Sequence, residues 1–251
     1  MRPAELRIIG IPGLPEVVAG DHLGSLISQA IQRAAIKVQE KDVLVVAQKI
    51  VSKAEGRVVR LDTVQPSSLA CYWAEAEGKE ARLVEVILSQ ARRLVRMERG
   101  VLIAETHHGF VCANAGVDAS NTTPGSVTLL PEDPDLSAQQ IRQALEQAFG
   151  LKLAVIVADT FGRPWREGLV NVALGVAGLA PLLDYRGHSD SSGRPLTATV
   201  MALADELAAA AELVMGKTRG IPVALVRGFD YPEIEGTGQQ MIRPAERDLF
   251  R

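Results

Sequence analysis

Unbroken apolar runs alternate along this chain with stretches whose apolar positions recur every three or four residues. Val43 to Ala47, Leu153 to Ala158 and Ile221 to Val226 read as strands, and the six apolar residues from Leu153 suit a strand covered on both faces. Leu6 to Ile9 predicts a short first strand, and Gly100 to Ala104 with Phe110 to Ala113 predicts a hairpin across Glu105 to Gly109. A helical stripe of Leu23, Leu26, Ile27, Ala30, Ile31, Ala34 and Ala35 follows Asp21. The region from Pro66 to Arg96 reads as helical with a break near Gly78, its second helix carrying Leu83, Val86, Ile87, Ala91, Leu94 and Val95. Ser137 and Gln140 form a capping-box pattern for a helix with Ile141, Leu145 and Phe149 inward and Gly150 as its stop. A last helix from Thr199 to Met215 buries Val200, Leu203, Leu207, Ala211 and Val214 and exposes Asp205, Glu206 and Glu212. The mixture predicts an α/β or α+β fold, mixed sheets with packed helices, forming one unit over residues 1–251. Two lobes fit the length, but the pattern marks no boundary between them.

Polar residues collect where the strands end. The run from Leu153 passes into a loop from Asp159 to Glu167, and ligands of open α/β sheets bind beyond such carboxyl ends. Asp159 and Thr160 offer hard oxygen ligands for Mg²⁺ or Mn²⁺, and Arg163 and Arg166 offer bidentate donors to phosphate or carboxylate, the two cations of a phosphoryl-transfer corner. The competing reading makes Asp159 a cap and the arginines solvated surface. Gln48, Lys49 and Lys53 lie just beyond the strand that ends at Ala47. Asp118 is the one carboxylate in the polar stretch Asn114 to Gly125, which reads either as a turn or as half of an acidic pair with Asp159 holding divalent ions on phosphate. Gly10-Ile11-Pro12-Gly13 enforces an irregular loop that brings backbone amides near a ligand.

Two other motifs carry less. His107 and His108 are adjacent on a turn, where side chains point apart, and no third ligand accompanies them. Gly216-Lys217-Thr218 imitates the end of a nucleotide-binding P-loop, but Ala211 stands where its first glycine belongs and the tripeptide closes a helix.

Composition narrows the partners. With 251 residues and 47% apolar content the chain can bury a large core, and a net charge of -3 with pI near 5.9 leaves no electrostatic footprint for nucleic acid or an anionic membrane. Leu169 to Leu183 is too short to span a bilayer. The charges in Met1 to Arg7 argue against an export signal. Cys71 and Cys112 lack zinc or redox spacing and read as two buried thiols of a cytoplasmic protein.

Taken together, Gly10 to Pro12, the run Asp42 to Glu55, Asn114 to Asn121, Asp159 to Arg166, Ala204 to Ala208 and the tail Arg243 to Arg251 make the chain similar to the F420 gamma-glutamyl ligase family. The resemblance covers nearly the whole chain. It implies a GTP-dependent ligase that adds L-glutamate through a γ-linkage to the deazaflavin coenzyme F420-0, or its dehydro variant, by way of an acyl phosphate. It further implies that Asp118, Asp159 and Thr160 hold divalent ions, Mg²⁺ or Mn²⁺ and two in number, with K⁺ as an additional ion. GTP would then meet Gly10, Ile11, Pro12, Gly13, Gln48, Lys49, Lys53, Asn121 and the loop Met215, Gly216, Lys217, Thr218, Arg219, Gly220, Ile221 and Pro222. A homodimer and a family-specific α+β fold come with the resemblance. One departure stands out: some members carry an acidic residue where this chain has Lys217, which either removes a metal ligand or supplies a contact to phosphate. A metal-dependent phosphohydrolase, a ligase for another carboxylate, or a non-enzymatic deazaflavin-binding module on the same scaffold are the alternatives.

Overall fold

The longest apolar runs become the inner strands of one five-stranded sheet. In the computed structural model, which describes residues 5–248, the chain begins with β1 (Arg7–Gly10), α1 (Leu23–Arg33), β2 (Val43–Ala47), α2 (Gln48–Ala54) and β3 (Val58–Arg60). It continues with α3 (Ser68–Glu77), α4 (Ala81–Gln90), β4 (Ala91–Glu98), β5 (Val101–Thr106), β6 (Val111–Ala113), β7 (Ser126–Thr128) and α5 (Pro134–Phe149). The last part is β8 (Ala154–Arg163), β9 (Arg166–Ala177), β10 (Leu183–Asp184), β11 (Val200–Met201), α6 (Leu203–Met215) and β12 (Val223–Arg227). Residues 1–4 and 249–251, which include part of the charged N-terminal stretch and the end of the 243–251 tail, lie outside the described residues.

The main sheet has the order β1-β12-β2-β8-β9, and only the β2–β8 pair is parallel. Helices cover both faces, as the continuous apolar runs require. Leu44, Val46, Val155, Val157, Val223 and Leu225 point into a core with Ile27 and Ile31 of α1 and Ile141 and Leu145 of α5. Their alternating neighbours Val43, Val45, Ala154, Ile156, Ala224 and Val226 pack on Leu203, Leu207 and Ala211 of α6. A further cluster, with Leu61, Trp73, Val84, Ile87, Leu102 and Val127, gathers α3, α4 and the small sheets β3–β7 and β4-β5-β6. The outcome is a mixed α+β fold.

β9 is an edge strand, and aspartates from both flanking helices meet its outer amides. Asp205 Oδ1 accepts from Ala173 N at 2.8 Å, and Asp135 Oδ1 accepts from Val176 N at 2.8 Å and Gly238 N at 2.7 Å. Asp205 is therefore partly buried instead of exposed.

Several boundaries differ from the pattern. Residues 91–98 form a strand, not the end of a helix: two register shifts against β5 place Ala91, Leu94 and Met97 inward at intervals of three, which imitates a helical stripe. α5 opens at Pro134 with Asp133 as its cap, accepting from Leu136 N at 3.0 Å, so Ser137 lies inside the helix. α6 opens at Leu203, because Val200 pairs with Asp184 in the β10–β11 bridge. Gln48 and Lys49 begin α2 with no intervening loop. Cys112 is buried as expected, but Cys71 is exposed on α3. Among the described residues no helix is long and apolar enough to cross a membrane.

Candidate functional site

The strand directions bring the separated polar segments to one edge of the main sheet. Gly10 at the end of β1 pairs with Ala224 near the start of β12, Val223 pairs with Val46 near the end of β2, and Ala47 pairs with Ala158 of β8. Consequently the 10–13 loop, the first turn of α2, the 216–222 loop and Asp159 all leave the sheet on the same side. Ala47 N donates to Pro222 O at 2.9 Å and Ile11 N to Val223 O at 2.9 Å, which fixes the loops to each other.

β8 does not stop at Ala158. Beyond the point where β2 ends, it keeps pairing with β9 as a two-stranded ribbon as far as Arg163, so Asp159 and Thr160 are strand residues where the sequence reads as a loop. Adjacent strand residues look to opposite faces. Asp159, in register with Val172, faces the second group of sheets, and Thr160, in register with Asn171, faces α6.

On the Asp159 face, Asp118 and Lys49 meet. Asp118 is held by a pair of backbone bonds with Thr128, at 3.0 and 2.8 Å, just after a turn in which Asn114, Ala115 and Gly116 all take left-handed conformations. At Gly116 a side chain would lie 2.6 Å from Leu130 Cγ, so the turn needs glycine both for its φ of 73° and for space. Lys49 Nζ lies 2.6 Å from Asp118 Oδ2 and also donates to Ser120 O at 2.8 Å, while Ser120 N donates to Asp118 Oδ1 at 2.7 Å.

The two carboxylates are driven apart in acidity. Burial pushes Asp159 up to about 6, the Asp118 charge adds to the rise, and Lys217 and Lys49 oppose it. Burial also pushes Asp118 upward, but Lys49 and Ser120 outweigh it and hold Asp118 below the usual carboxylate range. Nearby, burial and the Asp159 charge raise the Cys112 thiol to about 12, leaving it neutral and unreactive.

On the other face of the ribbon runs a chain of polar contacts. Lys217 Nζ donates to Thr160 Oγ1, Thr160 Oγ1 donates to Asn171 Oδ1 at 2.6 Å, and Asn171 Nδ2 donates to Glu212 Oε2 at 3.2 Å. Asn171 is only 4% exposed, which makes this a built network and not a surface accident. Ser120, Asn171 and Glu212 are absent from the sequence-derived site. The one signal for them is Asn171 itself, an amide interrupting the apolar run of β9.

The remaining candidates are dispersed. Gln48 is buried and accepts from Ser52 Oγ at 2.8 Å, and Lys53 Nζ pairs with Glu16 Oε1 at 2.5 Å. Arg163 braces its own hairpin, donating to Glu167 O at 2.6 Å and Gly168 O at 3.3 Å. Arg166, Asn121, Pro12, Gly13, Thr218 and Arg219 are exposed around the sheet edge. The histidine rings diverge: His107 Nε2 meets Ser89 O at 3.2 Å, and His108 Nε2 lies 2.9 Å from both Pro131 O and Glu132 O.

Among the described residues no trio of His, Cys, Asp or Glu is arranged to hold a metal ion. The donor set on the Asp159 face is instead the two carboxylates of Asp118 and Asp159, hard oxygens that suit an ion such as Mg²⁺, which retains several waters and shares its shell with substrate phosphate. The raised Asp159 gives an independent sign of fit, since a divalent ion between it and Asp118 would relieve the repulsion that contributes to the shift.

Comparison with known proteins bears on the chain as a whole. The family model described as F420-0:Gamma-glutamyl ligase matches residues 13–228. The chain is 46% identical to the coenzyme F420:L-glutamate ligase of Methanothermobacter thermautotrophicus over 249 residues, covering 98% of this chain and 99% of that one. It is 46% identical to the protein of the same name from Methanopyrus kandleri, covering 98% of each, and 41% identical to that of Methanocaldococcus jannaschii, covering 98% and 97%.

Proposed function

The chain belongs to the F420-0:gamma-glutamyl ligase family, and from that premise we propose that it joins L-glutamate through a γ-linkage to the deazaflavin coenzyme F420-0, with GTP as phosphate donor. The observation that carries the reading is the convergence of Asp118, Asp159, Lys49 and Lys217 at one sheet edge. Paired acids with flanking ammonium groups suit a reaction whose substrates are all anionic.

In this reading a substrate carboxylate oxygen attacks the γ-phosphorus of GTP, and GDP leaves with the electrons of the broken P–O bond. The glutamate amine then attacks the acyl carbon, loses a proton and expels inorganic phosphate, leaving an amide. Asp118 and Asp159 would hold a divalent ion, which when bound supplies positive charge to the polyphosphate. Lys49 and Lys217 direct ammonium donors at the same region, and the 10–13 and 216–222 loops, tied to the sheet through Ile11 N and Pro222 O, would border the nucleotide. Arg166, at the exposed tip of the β8–β9 ribbon, supplies a forked donor to phosphate or carboxylate, with Arg163 holding that tip in shape.

The deciding experiment is mass spectrometry of the products after incubation with GTP, Mg²⁺, L-glutamate and F420-0. A glutamylated product formed with GDP and phosphate supports the reading. GTP hydrolysis that needs no amine makes the chain a phosphohydrolase, and no turnover of GTP makes it a binding module. A homodimer belongs to the same reading, and light scattering of the purified chain tests it.

A further inference from the structure

The resemblance implies two divalent ions, with Thr160 among the ligands that hold them. The network around Thr160 is built for a different cation. A hydroxyl has one proton, and here Asn171 decides where it goes. Glu212, a carboxylate, has no proton to give, so the Asn171 amide turns its Nδ2 to Glu212 Oε2 at 3.2 Å and its Oδ1 to Thr160. Asn171 Oδ1 then takes the Thr160 proton at 2.6 Å, and the hydroxyl presents only lone pairs on its other side. Lys217 Nζ donates to that side.

The Thr160 position is also separate from the acid pair. Asp159 and Thr160 are strand neighbours on opposite faces of the β8–β9 ribbon, so an ion held between Asp118 and Asp159 does not share its shell with the Thr160 side chain in this geometry. A second divalent ion on Thr160 would have to share the hydroxyl with an ammonium already bonded to it, like charge against like charge.

We propose that the Lys217 ammonium is the resident cation at Thr160, taking the place of a second divalent ion, so that this chain works with one divalent ion held by Asp118 and Asp159. Asn171 and Glu212 are positioning residues that set the hydroxyl for the ammonium. The inference rests on the metal-dependent reading above.

Native mass spectrometry of the full chain equilibrated with Mn²⁺, with and without GDP, counts ions directly; any ion that GDP itself brings is identified from the Asp118→Asn/Asp159→Asn double variant. The expected count is one protein-held Mn²⁺ per chain. Lys217→Glu exchanges an ammonium for a carboxylate on an exposed loop and should raise the count to two, and adding Thr160→Val to it should return the count to one. Two protein-held ions in the unaltered chain, or one in Lys217→Glu, overturns the proposal while leaving metal dependence standing. No protein-held ion in any variant overturns both.

Discussion

Lys49 Nζ lies 2.6 Å from Asp118 Oδ2, bridging the first turn of α2 and the loop that follows β6. The contact joins the main sheet to the smaller sheets at the point where Asp159 emerges. Asp118→Asn keeps the volume and the Ser120 contacts but removes the charge that Lys49 and a metal ion both use, and Asp159→Asn does the same from the other side. Each should lower ligation at least about 100-fold, equivalent to about 2.7 kcal/mol of barrier, with the circular dichroism spectrum unchanged. Wild-type turnover in either variant removes the acid pair from the site.

GTP should raise the Tm only when Mg²⁺ or Mn²⁺ is present, since most of the triphosphate charge is met through the ion. At a hundredfold excess over Kd the stabilisation is about 2.7 kcal/mol, roughly 5–10 °C for a chain of this size. Equal shifts in EDTA and in Mg²⁺ would count against an ion-mediated nucleotide site.

The raised Asp159 makes stability depend on pH in a stated direction. Its carboxyl is pushed up to about 6 in the folded chain from the ordinary 3.8 it keeps when unfolded, so between these values the folded state binds the extra proton. Stability from this group is present below 3.8 and is lost as the pH rises through about 6. In metal-free buffer Asp159→Asn should therefore be more stable than the unaltered chain at pH 7.5, by up to about 3 kcal/mol, with the gap closing towards pH 4. Urea unfolding across that range measures it, and a gap independent of pH contradicts the assignment.

Arg166→Lys tests whether the ribbon tip acts in the chemistry. The lysine keeps the charge and loses the fork, so turnover should fall about tenfold, or about 1.4 kcal/mol, while the Tm stays put because Arg166 is exposed. Unchanged turnover would make Arg166 solvated surface and leave the phosphate to Lys49 and Lys217.

Gly116→Ala probes the turn that aims Asp118. The new methyl would meet Leu130 at 2.6 Å from a backbone with φ of 73°. Overpacking and left-handed strain together should cost roughly 2–5 kcal/mol, measured by chemical denaturation. A loss under about 0.5 kcal/mol would show that the turn is not tightly set.

Much of the main sheet was legible because its inner strands are dry on both faces: Val43 to Ala47 is bounded as the apolar run predicts, and one edge of the sheet gathers Lys49, Asp118, Asp159 and Lys217. Local pattern misled where a local irregularity had the same period as another structure, as the two register shifts of β4 did by spacing Ala91, Leu94 and Met97 like a helix. It also misled at Asp159, whose polar surroundings suggested a loop although β9 continues to pair with it. Asn171 and Glu212 lie 41 residues apart in sequence, and no local spacing shows that a strand amide and a helix carboxylate meet.

The aspartates on β9 have a consequence beyond this sheet. An edge strand with free amides is a template on which another molecule can add its own strand. Here Asp205 occupies Ala173 N, and Asp135 occupies Val176 N while tying down Gly238 N beside it. The register shift between those two amides also breaks the regular spacing that an incoming strand needs. Two side chains from helices on opposite faces thus occupy the outer amides of the buried, apolar 173–176 stretch of β9 and leave them no donor for an added strand.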